Sequence, residues 1–279
     1  MIPKIIHLCW LSGDPFPDDI KLCLKSWKQI IPDYEIYFWG KLPPNSIDTV
    51  FNGMKVKEMT FDINSTVWTK QAFEYKKYAF AADYIRLYAV YKYGGIYLDS
   101  DIVIYKRFDD LLNLPYFIGQ QYEGSLEAAV FGAESGTVWI KKVFDRYTDR
   151  HFLKNDGALD LLSAPRVFYQ VLTPIYKFHR LTKKIDYFYE DNRIYVFDKD
   201  FFNSRNSQGV SRTSKSFCAH NYASSWIRKN DSASKKILKN LTPKVLRRLF
   251  CFFYHNTIKK KKLLEVVPEF ENYSSTILW

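Results

Sequence analysis

The sequence predicts an α/β domain on a mostly parallel sheet, followed by a basic helical tail, and three observations predict it. The chain opens strand, helix, strand. A long stretch free of Gly and Pro then feeds another strand that ends in Asp99-Ser100-Asp101. The excess positive charge is gathered near the C-terminus.

The elements follow in order. Residues 4–10 read as a buried strand, and Gly13, Pro15 and Pro17 mark the loop after it. A helix is expected over 18–31, with Asp18 and Asp19 at its positive end and Pro32-Asp33 as its stop. Residues 34–39 form the second strand, and a β-α-β opening is the signature of a parallel sheet. Beyond Pro43-Pro44, residues 70–93 read as a single helix that ends at Gly94-Gly95. It delivers the chain to a strand carrying Asp99 and Asp101 at its carboxyl end, where open α/β sheets bind ligands. Apolar runs at 116–119 and 128–132, a helix over 138–147, a helical stretch after Pro165, and strands at 193–197 and 217–220 complete the domain. With no internal repeat and no low-complexity linker before about residue 227, the reading is one domain, 1–232, and a tail, 233–279.

A chain of 279 residues can bury a substantial core, and its 18% aromatic content suits both packing and stacking on bases or sugar rings. The net charge of +11 would suggest nucleic acid if it were spread over a groove. Between Arg228 and Lys262, however, twelve Lys and Arg face a single acid, Asp231, which accounts for the whole excess. The main domain is charge-balanced, so no nucleic-acid partner is expected. Met1-Ile2-Pro3-Lys4 reads as the approach to a first strand rather than a secretory leader, and no apolar run nears the roughly 20 residues needed to span a bilayer. The expected location is cytoplasmic, peripheral at the inner face of the membrane. Cys9, Cys23, Cys218 and Cys251 are scattered and are expected to be reduced and structural.

In a strand, side chains at i and i+2 share a face roughly 6.5–7 Å apart, so Asp99 and Asp101 are placed to share one hard cation while Ser100 points away. The pair Asp198-Lys199-Asp200 has the same spacing, so context must separate the two. Asp83 and Arg86 lie at i, i+3 on the helix that leads into the Asp99 strand. Alone they would be a surface ion pair worth under about 1 kcal/mol. Beside Asp99 they suit a sugar or ribose hydroxyl and a diphosphate fork. Trp10, ending the first strand, is either a core aromatic or a platform for a base. His7 on the same strand reads more readily as a hydrogen-bonded core histidine than as a ligand. The segment His220-Asn221-Tyr222-Ala223-Ser224-Ser225-Trp226, folded back over the acids, would offer His220, Asn221 and Ser224 as N/O donors and the Trp226 indole to a phosphate oxygen.

Together these residues resemble the glycosyltransferase family 32 sugar transferases of capsular and lipopolysaccharide synthesis, and more distantly yeast alpha-1,6-mannosyltransferases and clostridial glucosylating toxins. The likeness covers residues 1–226. It rests on Ile2-Pro3-Lys4-Ile5-Ile6-His7-Leu8-Cys9-Trp10, on Lys76-Lys77-Tyr78-Ala79-Phe80-Ala81-Ala82-Asp83-Tyr84-Ile85-Arg86, and on Gly94 through Asp101. The resemblance implies a GT-A type fold, a nucleotide-diphosphate sugar donor, Mn2+ or Mg2+, and transfer of a hexose with retention. The donor it implies is a UDP-hexose first and a GDP-hexose second, and the acceptor a glycan or lipid-linked oligosaccharide. It implies Asp99, Asp101 and Arg86 as catalytic residues. His7, Trp10, Asp83, Arg86, Tyr97, Asp99 and Trp226 would contact the donor, and Asp101, Asp99, Asn221, Ser224 and His220 would hold the metal. Many relatives carry His-His-Trp-Ala-Gly-Ser-Trp in the last loop where this chain has Asn221 and Tyr222, which leaves open whether His220 or Asn221 meets the metal. A retaining front-face mechanism lets the departing phosphate oxygen take the acceptor's proton, so no enzymic base is required.

Two rivals remain. Asp99-Ser100-Asp101-Ile102-Val103 also fits the nucleophile motif of haloacid-dehalogenase-type phosphatases, although two strands and a helix precede it and Asp109-Asp110 follows too soon to be their distal acidic pair. A non-catalytic membrane binder would explain the tail. There Val245, Leu246, Leu249, Phe250, Phe252 and Phe253 group on one helical face beside Lys244, Arg247, Arg248 and the run 259–262. That pattern suits an anionic membrane surface as well as it suits packing on the domain.

Overall fold

A computed structural model describes residues 1–122, 124–182, 192–203, 205–206, 209–210 and 212–221. The tail, Ser224 and Trp226 lie outside the described residues. The sheet and the site belong to one compact unit, Met1–Arg205 with Val210–Trp226.

The strands are β1 (Ile5–Trp10), β2 (Glu35–Gly40), β3 (Val56–Met59), β4 (Gly95–Leu98), β5 (Ile102–Ile104), β6 (Tyr116–Tyr122), β7 (Ser125–Ala133), β8 (Lys177–Leu181) and β9 (Arg193–Phe197), with short β10 (Arg205–Asn206), β11 (Gly209–Val210) and β12 (Cys218–His220) after them. The helices are α1 (Asp18–Ile30), α2 (Ser46–Thr49), α3 (Val67–Glu74), α4 (Tyr78–Tyr93), α5 (Val138–Asp145), α6 (Ala164–Leu172) and α7 (Lys199–Phe202). Eight strands form the main sheet in the order β3-β2-β1-β4-β7-β6-β9-β8. Only β7 runs against the rest, pairing antiparallel with β4 and β6, while the other pairs are parallel. This is the expected α/β arrangement on a mostly parallel sheet.

The first β-α-β unit forms for the reasons its sequence suggests. Ile20, Cys23, Leu24 and Trp27 recur at helical spacing on the buried face of α1, and Trp27 donates its indole N–H to the Ile102 carbonyl at 2.7 Å, fastening the helix over β5. One apolar cluster lies on that side, from Leu24 and Trp27 to Phe108, Phe117, Phe202 and Phe217. A second lies on the other face, where Trp68, Tyr84, Leu87 and Val90 meet Phe131, Trp139 and Phe168. The thiols of Cys23 and Cys218 are buried and that of Cys9 partly so, none of them in a disulfide.

The single helix expected over 70–93 is two. Tyr75, Lys76 and Lys77 separate α3 from α4, and Lys76 takes a left-handed backbone, φ 54°. Lys77 N–H reaches the Ala72 carbonyl at 2.8 Å and Lys76 N–H the Phe73 carbonyl at 2.9 Å, which are the paired bonds of a Schellman stop. Glycine usually occupies that position, so a lysine there gave no warning. The stop of α4 is as expected: Gly94 turns the chain at φ 64°, and a side chain on Gly95 would lie 2.8 Å from the Ile5 carbonyl oxygen.

Candidate functional site

The two carboxylates do not sit on a strand. β4 ends at Leu98, and Asp99 to Ile102 form a tight turn closed by the Ile102 N–H on the Asp99 carbonyl at 3.1 Å. The turn, not the strand pleat, brings the acids together, because it doubles the chain back where an extended one would hold them apart. It lies at the carboxyl end of β4 and is tied to β7 by the Asp99 N–H on the Ala129 carbonyl at 2.9 Å.

The chain after the turn recruits the C-terminal partner. β5 pairs antiparallel with β12, setting His220 opposite Ile102, and the Asn221 N–H continues the contact to the Asp101 carbonyl at 2.9 Å. His220 Nε2 thereby stands 3.1 Å from Asp101 Oδ1. One donor atom each from Asp99, Asp101 and His220 falls within 4.8 Å of the others. Two carboxylate oxygens and an imidazole nitrogen form a donor set suited to Mn2+ or Mg2+, so the residues present fit a divalent cation. Asn221 is placed beside Asp101 through its main chain.

Asp83 and Arg86 are not the surface pair that their spacing alone would give. α4 runs through the middle of the domain, leaving Asp83 6% and Arg86 5% exposed. Arg86 Nη2 lies 2.9 Å from Asp83 Oδ1, and its Nη1 lies 3.5 Å from Asp99 Oδ1 while donating to the Ala128 carbonyl at 2.8 Å. The guanidinium rests over the Tyr97 ring at 4.6 Å, and the Tyr97 hydroxyl donates to Asp99 Oδ1 at 2.7 Å. Asp99 Oδ1 therefore accepts the Tyr97 hydroxyl from β4 and pairs by charge with Arg86 from α4.

Burial dominates the electrostatics. It pushes the Asp83 carboxyl up to about 7, although Arg86 opposes the shift. Burial also works against a charged His220, but the Asp101 hydrogen bond and the charges of Asp101, Glu127 and Asp99 outweigh it and hold the ring up at about 9. Burial raises the Tyr97 hydroxyl well above its ordinary range, so it stays a donor to Asp99.

The remaining expected residues divide. Trp10 is half-buried at the carboxyl end of β1, packs on Phe16 at 4.9 Å and donates its indole N–H to the Asp14 carbonyl at 2.8 Å. His7 is not brought to the site. It is fully buried, with Nε2 2.7 Å from the Gly94 carbonyl and Nδ1 accepting the Trp39 indole N–H at 3.1 Å. Both ring nitrogens are used inside the sheet, as a hydrogen-bonded core histidine requires, and neither is turned toward a donor sugar. The control pair is equally clear: Asp198 accepts the Lys199 N–H at the start of α7 and pairs with Arg180 at 2.7 Å. Sequence reasoning missed Glu127, a fully buried acid on β7. Its one signal was a charged residue at the edge of an otherwise apolar run.

Residues 17–118 match the family model described as a glycosyltransferase sugar-binding region containing a DXD motif. The chain is 28% identical to inositol phosphoceramide mannosyltransferase 3 of Schizosaccharomyces pombe over 145 residues, 51% of this chain and 36% of that protein. It is 29% identical to the mannosyl phosphorylinositol ceramide synthase SUR1 of Saccharomyces cerevisiae over 121 residues, 42% of this chain and 27% of that one. It thus spans about a third or less of the length of these two curated relatives. Among solved structures, the galactosyltransferase LgtC in complex with donor and acceptor sugar analogs aligns with 87% of this chain and 99% of its own, at 12% identity and TM-score 0.46. The PaToxG glycosyltransferase aligns with 62% and 68%, at 22% identity and TM-score 0.44. Residues 17–118 are thus similar to the sugar-binding region of DXD glycosyltransferases, and Asp83, Arg86, Tyr97, Asp99 and Asp101 all fall inside the matched segment.

Proposed function

We propose that the protein is a metal-dependent retaining hexosyltransferase that takes its sugar from a nucleoside-diphosphate donor. The observation that carries this reading is the convergence of Asp99, Asp101 and His220 on one point, beside a buried arginine that links Asp83 to Asp99. A bound divalent cation would neutralise charge on the departing diphosphate, and Asp99, Asp101 and His220 would hold it. Arg86 keeps Asp99 in place and presents a planar fork next to where the phosphates would lie. Asp83, whose carboxyl burial raises to about 7 and which lies beside Arg86, suits a hydrogen bond to a ribose or sugar hydroxyl. Trp10 at the carboxyl edge of β1 offers a flat face for the base.

A phosphatase reading finds less support. It would require Asp99 as nucleophile, whereas Asp99 Oδ1 is occupied by Tyr97 and approached by Arg86. UDP is the first donor nucleotide to test. Because two similar proteins are named as mannosyltransferases of inositol-containing ceramides, GDP-linked mannose is the second and a lipid-linked acceptor is the first acceptor class. In a front-face transfer the leaving phosphate oxygen accepts the acceptor's proton, so no further base is assigned.

The test is nucleotide release from a panel of UDP- and GDP-sugars in Mn2+. Release of UDP or GDP that disappears in Asp101→Ala supports the reading. Unchanged turnover of that variant in saturating Mn2+ overturns it, as does release of inorganic phosphate from simple esters in place of nucleotide.

A further inference from the structure

The matched sugar-binding region ends at residue 118, and a small pocket is built by residues that follow it. Gln120 faces Leu126 across β6 and β7, and Arg180 faces Val196 across β8 and β9. The four strands are adjacent in the sheet, and these residues form the pocket's floor and rim. Side chains two apart on a strand share a face, so Gln120 continues the side of β6 that carries Tyr116 and Ile118, and Leu126 the side of β7 that carries Ala128. Over that face α6 brings Tyr169 and β8 brings Phe178, whose rings meet at 5.6 Å and 82°.

The pocket lies beside the candidate site. Because β7 runs against β4 and β6, it begins at the end of the sheet where β4 finishes and the Asp99 turn starts. Arg86 donates to the Ala128 carbonyl, and Leu126 stands two residues, roughly 7 Å, back along the same strand face.

Its lining indicates what it would take. The cavity measures about 180 Å³, below the roughly 300–1,000 Å³ that hold a whole small ligand, so it suits one ring of a larger molecule. Leu126, Val196, Tyr169 and Phe178 offer apolar surface. Gln120 adds an amide, donor and acceptor in one group, that makes no hydrogen bond among the described residues. Arg180 is held by Asp198 at 2.7 Å from Nη2, which answers its charge while the guanidinium fork keeps further N–H groups for a ligand. An anion would find no uncompensated cation among these residues, and an alkyl chain would leave Gln120 and Arg180 unused. A hydroxylated six-membered ring, whether pyranose or cyclitol, presents a face of C–H groups to aromatic walls and an edge of hydroxyls to the amide and guanidinium.

Resting on the reading of the Asp99 turn as the transfer site, we propose that this pocket is the acceptor subsite, where Gln120, Tyr169, Phe178 and Arg180 select a neutral hydroxylated ring. Acceptor choice is then set by a part of the chain outside the segment shared with other DXD glycosyltransferases. A gap left by imperfect packing would bind no ring and would be indifferent to changes in its walls.

The test has two arms, both on the full chain. In the first, saturation-transfer NMR follows methyl hexopyranosides and myo-inositol, with inorganic phosphate as competitor. A ring is expected to bind and to resist phosphate, with Kd raised about tenfold in Tyr169→Ala and severalfold in Gln120→Leu. Which compound binds separates pyranose from cyclitol. In the second, that ring is added to the nucleotide-release assay and the product is read by mass spectrometry. Sugar is expected on the ring, and the ring concentration for half-maximal transfer should rise about tenfold in Y169A. No bound ring, equal binding by wild type, Y169A and Q120L, or displacement by phosphate overturns the subsite. A bound ring that receives no sugar while nucleotide is released overturns the acceptor role and leaves the transferase reading standing. If no donor releases nucleotide, that reading falls and the acceptor role with it, while the first arm still decides whether the pocket takes a ring. Should Y169A lose its fold by circular dichroism, Phe178→Ala takes its place with the same criteria.

Discussion

Two arginines in this protein each stand between two aspartates. At the surface, Arg107 reaches Asp33 at 2.8 Å and Asp109 at 2.6 Å, with Lys4 joining both acids. In the interior, Arg86 reaches Asp83 at 2.9 Å and Asp99 at 3.5 Å. Distances hardly distinguish them; water does. Asp33 and Asp109 feel a little burial, but their cationic neighbours outweigh it and hold both carboxyls below their ordinary value. Asp83 has a guanidinium just as close, yet burial pushes it up to about 7. The surface set is electrostatically settled, whereas the interior set is under-compensated and still suits a ligand that brings charge or hydroxyl groups. An ion pair read from spacing alone says nothing about function until its exposure is known.

The largest break in that comparison is expected at Arg86. Arg86→Met leaves two carboxylates beside a buried apolar side chain and should cost about 3–5 kcal/mol in urea unfolding, with loss of donor turnover. A loss under about 1 kcal/mol would mean that the interior set is no different from the surface one. His7 extends the contrast to a buried base. Burial holds it down to about 4 from an ordinary 6.5, with the Gly94 carbonyl opposing. The neutral ring's contribution is complete above pH 6.5. It is lost as pH falls toward 4, because the unfolded chain binds a proton that the folded one refuses, and the loss approaches roughly 3 kcal/mol. Urea midpoints at pH 7 and pH 4.5 should fall further apart for the wild type than for His7→Gln, and equal separations would break the assignment. Tyr97→Phe removes one hydrogen bond to Asp99 and should cost about 2 kcal/mol while weakening Mn2+. A variant with unchanged stability and unchanged Mn2+ affinity would show that Arg86 alone suffices to hold Asp99. The smallest effect belongs to the surface: Arg107→Ala should cost less than about 1 kcal/mol, shrinking further in 0.5 M NaCl, with turnover unchanged.

Much of the framework was legible because periodic signals carried it. Trp27 at the end of an amphipathic run, the Gly94-Gly95 stop and the apolar stretch of Arg193–Phe197 each stated their role locally. The break at Lys76 was not legible, since the tertiary packing of Trp68 and Phe80 across it favours a left-handed lysine that no local preference announces. The constituents of the site were named, but its geometry was not. Spacing suggested a strand face for Asp99 and Asp101; the Ile102 N–H on the Asp99 carbonyl shows that a turn joins them, and the ladder between β5 and β12 that His220, rather than His7, is the histidine they meet. Glu127 was invisible because its burial comes from the packing around β7 and from no local pattern.

The ladder between β5 and β12 also orders events in time. Ile102 and His220 are joined across much of the domain, and such long-range pairings are among the slower contacts a chain makes. During synthesis the two aspartates emerge well before the histidine, so the three-residue donor cluster exists only after β12 has docked on β5. A ribosome-bound or partly folded chain would present an acidic turn and little else. The complete donor cluster thus reports that β12 has reached β5.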